Sequence, residues 1–378
     1  MQERTNIKGM TRPELRAFVE SIGEKSFRAD QLFRWMYARG VRSFHAMTDL
    51  SDNARNELER IAELGNLTLE SQQQSANDGT TKYLFRLNDG LLIETVLIPA
   101  DRQSASETPR LTLCLSTQVG CPLDCKFCAT GSMGFTRNLT AGEIVEQVLM
   151  VQQIISSRIT NLVYMGMGEP MLNYEEVMKS VEILTDDHAL KIGWRHITIS
   201  TAGYADQIRR MADENRKARL AVSLHSLVDE QRLRIMPINK KFPLDILLDA
   251  VEYYYKKTRR RPTLEYILFD GINDSPEDAR RLIALTRRIP SKVNLIPFHA
   301  VQFAHPGDSG AGLKPTPHDR IEEFARKLRR ERVTVMVRSS AGEDITAACG
   351  QLAVLQPKKI QSKDRRRSAV SGSDALIS

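Results

Sequence analysis

The chain has 378 residues, 41% of them apolar, and Lys plus Arg outnumber Asp plus Glu by 54 to 47 for a formal net charge of +7. That apolar share supports a sizeable core, no run approaches the roughly 18 apolar residues that cross a bilayer, and the charge permits a polyanionic partner without demanding one. The opening residues, MQERTNIKGM, lack an apolar signal-peptide core, so a cytoplasmic protein is expected, in which five cysteines point to metal binding or catalysis rather than a disulfide framework.

Residues 1–65 read as a small helical module. Thr11 with Pro13 opens one helix, FRADQLFRWMYARG (27–40) carries apolar residues at helical spacing, and Ser51 caps a third helix reaching about Ile61. The module holds Arg28, Arg34 and Arg39 beside Phe33, Trp35 and Tyr37. An ordinary amphipathic bundle accounts for these, and a nucleic-acid-contacting face is the alternative. Residues 66–106 read as a connector. TKYLFRL and LLIETVLIP flank Asn88-Asp89-Gly90, a hairpin signal, and residues 100–109 (ADRQSASETP) read as a polar loop.

From residue 110 strands and helices alternate. Strands are expected at 111–116, 161–166, 196–200, 220–224, 264–268, 293–297 and 333–337, and helices at 141–157, 174–185, 204–214, 243–258, 276–288 and 318–331. Thr140 with Glu143 forms a capping box, and Ser275-Pro276 starts a helix well. Repeated β–α units with apolar strands predict an α/β fold on a parallel sheet, open or closed as a barrel. In such folds chemistry sits at the C-terminal ends of the strands. From about Lys358 the chain is polar and basic and is expected to be disordered.

The first of these strands runs into TQVGCPLDCKFCATG, which spaces Cys121, Cys125 and Cys128 as C-x3-C-x2-C. Thiolates are soft ligands for iron–sulfur clusters and for zinc. Structural zinc usually takes two ligand pairs, and no second pair is present. A ferredoxin run usually reads C-x2-C-x2-C with a further cysteine. Three thiolates on a cubane leave one iron with an open position, and an open metal site can bind a substrate. Downstream, VYMGMGEPMLN (163–173) follows a strand with Gly166 and Gly168, which let backbone approach a ligand, and Glu169, which can accept from an amine. ITISTAG (197–203) sets Ser200 at the next strand end, and LAVSLH (220–225) sets Ser223, Leu224 and His225 at the one after.

With Phe127 as the aromatic, the cysteine run resembles the radical S-adenosylmethionine (SAM) signature C-x3-C-x-aromatic-C, and GMGEP resembles that superfamily's methionine-binding loop. About 94–355 further resembles the RlmN family of adenine C2 methyltransferases through ETV, TLC-x-S-x-Q-x-GC, GMGEP, LAVSLH, NLIPF and AACGQLA. The resemblance implies a partial (β/α)6 barrel. A helical, RNA-facing accessory domain would cover residues 1–65, a hairpin connector carrying Glu94 residues 66–106, the radical SAM core residues 107–345, and a segment with Cys349 residues 346–378.

The resemblance also implies a [4Fe-4S] cluster on Cys121, Cys125 and Cys128, and two SAM molecules per turnover, contacted by Gly168, Glu169, Ser200, Ser223, Leu224, His225 and His299. One SAM would methylate the Cys349 thiolate. The other, split to a 5′-deoxyadenosyl radical, would take hydrogen from that methyl, whose carbon then adds to C2 of adenine. Glu94 would accept the C2 proton, and Cys114 would attack the Cys349 sulfur, leaving a transient disulfide. Implied partners are 23S ribosomal RNA, transfer RNA at the adenine next to the anticodon, and a flavodoxin- or ferredoxin-type reductant, with the enzyme a monomer away from the membrane. The alternatives are a Cfr-like adenine C8 methyltransferase, a glycyl-radical-activase type of enzyme, and a non-enzymatic electron carrier or RNA-binding module. The chain departs from the family in three places. His299 in NLIPFHAVQF stands where the family usually has Asn, the loop 300–317 differs, and residues 100–109 are inserted.

Overall fold

The computed structural model describes residues 4–100, 110–299, 312–338 and 341–354. The inserted loop from residue 101, most of the loop after His299 and the basic tail therefore lie outside the described residues.

The N-terminal module is helical, as its spacing implied. Strand β1 (Thr5–Asn6) leads into α1 (Arg12–Ser21), α2 (Phe27–Phe33) and α3 (Asp52–Ile61), and β2 (Ala62–Glu63) returns to pair parallel with β1. Glu14 Oε2 accepts from the Thr11 amide and hydroxyl at 2.7 and 2.9 Å, closing the first turn of α1. The helix expected over 27–40 is α-helical only to Phe33 and continues as one wide π turn through Ala38. That turn buries Trp35, Met36 and Tyr37 together, a consecutive apolar run that a narrow amphipathic stripe does not accommodate.

The connector supplies β3 (Thr68–Gln74), β4 (Thr81–Arg86) and β5 (Leu92–Pro99), three antiparallel strands. Then come β6 (Leu111–Cys114) and a small hairpin of β7 (Gln118–Gly120) and β8 (Phe135–Asn138), with α4 (Ala129–Ser132) between its strands. The alternation continues as α5 (Ala141–Ile155), β9 (Asn161–Tyr164), α6 (Tyr174–Thr185), β10 (Ile197–Thr201), α7 (Ala205–Asp213) and β11 (Arg219–Ser223). It ends as α8 (Asp229–Ile235), α9 (Leu244–Thr258), β12 (Thr263–Leu268), α10 (Pro276–Arg288), β13 (Lys292–Pro297), α11 (His318–Arg330) and β14 (Thr334–Val337).

Ten strands form one sheet in the order β14-β13-β12-β11-β10-β9-β6-β5-β4-β3. The seven from β6 to β14 run parallel, and β5 joins antiparallel at β6. The sheet is open in pairing yet curled. The segment after β14, at one edge, meets the turn between β3 and β4 at the other: the Gly342 amide donates to Asp78 Oδ2 at 2.9 Å and the Ala76 amide to Asp344 Oδ2 at 3.2 Å. Opposite edges can meet through so short a segment only around a partial barrel. Buried aliphatics such as Leu113, Leu162, Ile199, Leu220, Leu264 and Leu295 face Val148, Val177, Ile208, Leu247, Leu282 and Leu328 from the helices, each contributing roughly 1.5–3 kcal/mol. Among the described residues no helix is long and apolar enough to cross a membrane.

Candidate active site

The C-terminal ends of the parallel strands converge on one region, and the cysteine loop lies across it. Gly120 enters the loop at φ +75°, where a Cβ would sit 1.9 Å from the Gly134 carbonyl oxygen, so only glycine fits. Cys121 N–H donates to that same oxygen at 2.8 Å, Cys128 N–H to Cys125 O at 3.0 Å, and Lys126 N–H to Ile235 O at 2.9 Å. The loop is thus shaped by backbone bonds, and neighbouring donors, Leu123 N–H at Cys121 and Thr130 and Gly131 at Cys128, favour the thiolate form of those two side chains.

Burial pushes all three thiols up, Cys121 to about 12, with neighbouring cysteines adding to the effect on Cys121 and Cys125. Buried thiolates so close together are unfavourable unless a cationic centre compensates them, which an iron–sulfur cluster does. Among the described residues no three His, Cys, Asp or Glu side chains are arranged around a single ion. The three lie close enough for Cys128 to act on both Cys121 and Cys125, and three soft thiolates suit an iron–sulfur cluster. The donor set therefore fits a cluster held by Cys121, Cys125 and Cys128.

The GMGEP loop packs under this one. A Cβ on Gly166 would lie 2.7 Å from Leu115 O, and one on Gly168 (φ +98°) 2.5 Å from Gln118 Cβ. Glu169 is buried. Its Oε1 accepts from Met171 N–H at 3.0 Å and its Oε2 from Ala202 N–H at 2.7 Å, tying the loop to the end of β10 beside Ser200. Burial raises its carboxyl to about 7, against the pull of those two amides. The Thr201 hydroxyl is a third donor to it, and a carboxylate's four lone-pair sites still leave room for an incoming donor.

His225 sits in the left-handed region at φ +55°. Its Nδ1 accepts from Ile267 N–H at 3.0 Å, and its ring meets Phe127 of the cysteine loop edge-on at 4.8 Å. Burial, helped by Arg232, pushes it down to about 3, so the ring is neutral and carries its proton on Nε2. Leu224 is buried and Ser223 half-buried beside it.

Sequence reasoning missed the residue that braces these strand ends. Arg232, fully buried on α8, donates to Leu224 O at 3.1 Å, Ala202 O at 2.6 Å, Ser223 O at 3.2 Å and Asn239 Oδ1 at 2.8 Å. Nothing in its sequence context distinguishes it from a surface arginine. Glu265 on β12 was also missed. It is buried opposite Asn294, whose Nδ2 donates to its Oε1 at 2.9 Å, while its Oε2 has no partner among the described residues.

The last segment completes the site. Ala129 N–H donates to Gly350 O at 2.7 Å and Thr130 Oγ1 to Leu352 O at 2.6 Å, which fixes the residues around Cys349 against the cysteine loop. On the other side Ala353 N–H donates to Glu94 Oε2 at 2.9 Å, and Lys82 Nζ lies 3.2 Å from Glu94 Oε1. Burial raises the Glu94 carboxyl and Lys82 opposes it. Cys349 is open to the space between these walls, with its thiol free. The surrounding protein pushes that thiol up and Arg338 pulls it down.

Cys114, buried at the end of β6 with its thiol also free, is pushed up to about 12 by burial, with Cys349 adding. The two sulfurs thus feel each other. Thus the cysteine loop, Glu169, His225, Glu94, Cys114 and Cys349 are gathered on one site, with Ser200 and Ser223 at its strand ends. His299 Nδ1 instead lies 2.9 Å from Glu343 Oε1, at the rim.

Residues 5–64 match the family described as ribosomal RNA large subunit methyltransferase N-terminal domain, and residues 115–283 match the radical SAM superfamily. A relative from Syntrophobacter fumaroxidans, named dual-specificity RNA methyltransferase RlmN, is 48% identical over 348 residues, covering 92% of this chain and 97% of its own length. One of the same name from Geobacter sulfurreducens is 45% identical over 352 residues, covering 93% of each. The crystal structure of a radical SAM methyltransferase from Sphaerobacter thermophilus is 40% identical with a TM-score of 0.83, over 92% of this chain and 98% of that one.

Proposed function

Because the chain belongs to the RlmN family of radical SAM methyltransferases, we propose that it methylates C2 of an adenine in 23S ribosomal RNA, and of the adenine next to the anticodon in transfer RNA, through a methyl group first carried on Cys349. The observation that carries this reading is the seating of the Cys349 segment between the cysteine loop and Glu94, with the second free thiol, Cys114, in electrostatic reach. In this reading the helical module faces the RNA, and the enzyme acts as a cytoplasmic monomer with a flavodoxin- or ferredoxin-type donor.

When bound, a [4Fe-4S] cluster and two molecules of SAM per turnover supply the methyl group and the one-electron chemistry that activates it. The chain's own residues do the rest. Cys121, Cys125 and Cys128 hold the cluster, while Gly168, Glu169, Ser200, Ser223, Leu224 and His225 line the cofactor pocket and His299, paired with Glu343, stands at its rim. A neutral His225 holds Phe127, and so the cysteine loop, against the end of β11.

Cys349 is a suitable methyl carrier because a thiolate is a strong nucleophile; burial disfavours that form, and Arg338 works against burial. Glu94, as carboxylate, takes the proton from C2, and the unpaired electron that radical addition leaves on the adduct would return to the one-electron couple that the cluster supplies when bound. The Cys114 thiolate then attacks the Cys349 sulfur. The S–S bond forms, the S–C bond breaks, and its electron pair passes to the methylene carbon, which is protonated to the product methyl. An external dithiol reduces the disulfide before the next turnover.

The test is anaerobic reconstitution with ribosomal and transfer RNA, followed by nucleoside mass spectrometry. The expected product is 2-methyladenosine. 8-Methyladenosine, or consumption of SAM without any methylated adenine, would overturn the reading.

A further inference from the structure

We propose that Lys82 is a positioning residue of the reaction, clamping Glu94 and the loop that bears Cys349 into register. The proposal rests on the reading of Glu94 and Cys349 given above and deepens it.

The antiparallel register pairs Lys82 on β4 with Val96 on β5 and Leu84 with Glu94. Lys82 and Glu94 are therefore diagonal neighbours on one face of the sheet, within reach of a long side chain. The ammonium lies 3.2 Å from Glu94 Oε1 and 3.4 Å from the Thr346 carbonyl oxygen, while Glu94 Oε2 accepts from Ala353 N–H at 2.9 Å. One ion pair thus grips the chain three residues before Cys349 and four residues after it. The side chains of Lys82 and Glu94 are 13% and 6% exposed, so salt screens the pair little.

The groups facing Glu94 are few. Strand β4 contributes Lys82, and β6 contributes Cys114 opposite Val96, two residues along. The GMGEP loop contributes the uncharged Met167, whose sulfur accepts from the Glu94 amide, and the last segment contributes the Ala353 amide. Burial favours the neutral acid, which cannot accept a proton, and among these groups Lys82 supplies the opposing charge. A neutral side chain at position 82 removes both the charge and the grip on Thr346. Arginine keeps the charge.

The experiment uses the full-length, cluster-loaded enzyme with Lys82→Met, Lys82→Gln and Lys82→Arg. Peptide mass spectrometry reads S-methylation of Cys349, a step that needs neither RNA nor Glu94. Single-turnover transfer from methylated enzyme to RNA is then followed against pH. Methylation of Cys349 is expected to persist in all three variants. The acid limb of transfer is expected to move up by about one pH unit or more in Lys82→Met and Lys82→Gln, and to stay near the wild-type position in Lys82→Arg. Amide exchange over 346–353 is expected to rise in Lys82→Met, a readout independent of turnover.

An unmoved acid limb in the folded neutral variants, whether or not the rate falls, would overturn the proposal, since a merely structural lysine lowers the rate at every pH alike. Should Lys82→Met fail to fold, Lys82→Gln decides the matter with the same profile. Failure of the parent reading shows elsewhere, as wild-type enzyme with no S-methylcysteine at position 349.

Discussion

The two walls of the site are held in opposite ways. The wall made by the ends of β9 to β12 is wired from within. Arg232 binds carbonyls of Ala202, Ser223 and Leu224, Glu169 binds amides of Met171 and Ala202, and Asn273 binds carbonyls of His225 and Ile267, all buried but the part-buried bond to Ser223. The wall made by the β4–β5 hairpin and residues 342–354 is wired across the chain. Its bonds Ala76–Asp344, Gly342–Asp78, Lys82–Thr346 and Ala353–Glu94 join residues 259 to 268 apart in sequence, two of them exposed and two half-buried. Buried bonds between fixed elements make a preformed pocket. A few long-range bonds to a short segment make a wall that can open as a unit while the barrel stays folded. The arrangement suits the role proposed for Cys349, in which its sulfur meets a cofactor, a base and a second thiol in turn.

The sharpest way to break this contrast is to remove the sulfur that faces both walls. Cys349→Ala is expected to abolish RNA methylation outright while leaving iron content and the cluster's visible absorption unchanged, because no cluster ligand is touched. Transfer that persisted would mean that Cys349 is only a wall residue. Next in size is Arg232→Met, which fills the space but takes the arginine donor from the Ala202 and Ser223 carbonyls and from Asn239 Oδ1, while Leu224 O keeps Ser226 N–H. Each orphaned group costs about 1–3 kcal/mol, so a loss of roughly 3 kcal/mol or more is expected in denaturant melts. A loss below about 1 kcal/mol would mean that the strand ends do not depend on this brace.

The same contrast explains what was legible in the sequence. Strands β9 to β14 and helices α5, α6, α7, α9, α10 and α11 fall close to the expected spans, because each is a strongly patterned segment between clear start signals. Strand β3 was invisible: TLESQQQ is exposed at every position and has no apolar alternation to read. Helix α8 was too short to show a period, and with it went Arg232. In the site, the cysteine spacing and GMGEP carry their chemistry in consecutive residues and can be read one by one. The Lys82–Glu94 pair exists only through cross-strand register, and the seat of Cys349 only through the curl of the sheet, so neither leaves a local signal. The preformed wall was largely readable because its motifs are local, and the assembled wall was not.

The smallest effect tests whether that second wall opens independently. Asp78 Oδ2 accepts from Gly342 N–H at 2.9 Å and its Oδ1 from Thr80 N–H at 2.8 Å. Burial works to raise its carboxyl, but these amides, with Thr80 and Ser75 hydroxyls, hold it below the ordinary aspartate value. A carboxylate lowered in the folded state binds fewer protons there than when unfolded. Its contribution is therefore fully present above the unfolded value of about 3.9 and fades as pH falls through the folded one. Asp78→Ala is expected to raise amide exchange over 342–347 at pH 6, while the global unfolding midpoint moves by less than about 1 kcal/mol. The exchange difference between variant and wild type should shrink as pH drops below about 3.9, where the wild-type carboxylate is itself being neutralised. If Asp78→Ala lowers global stability by several kcal/mol instead, the segment bearing Cys349 unfolds only with the barrel, and the two walls are one cooperative unit.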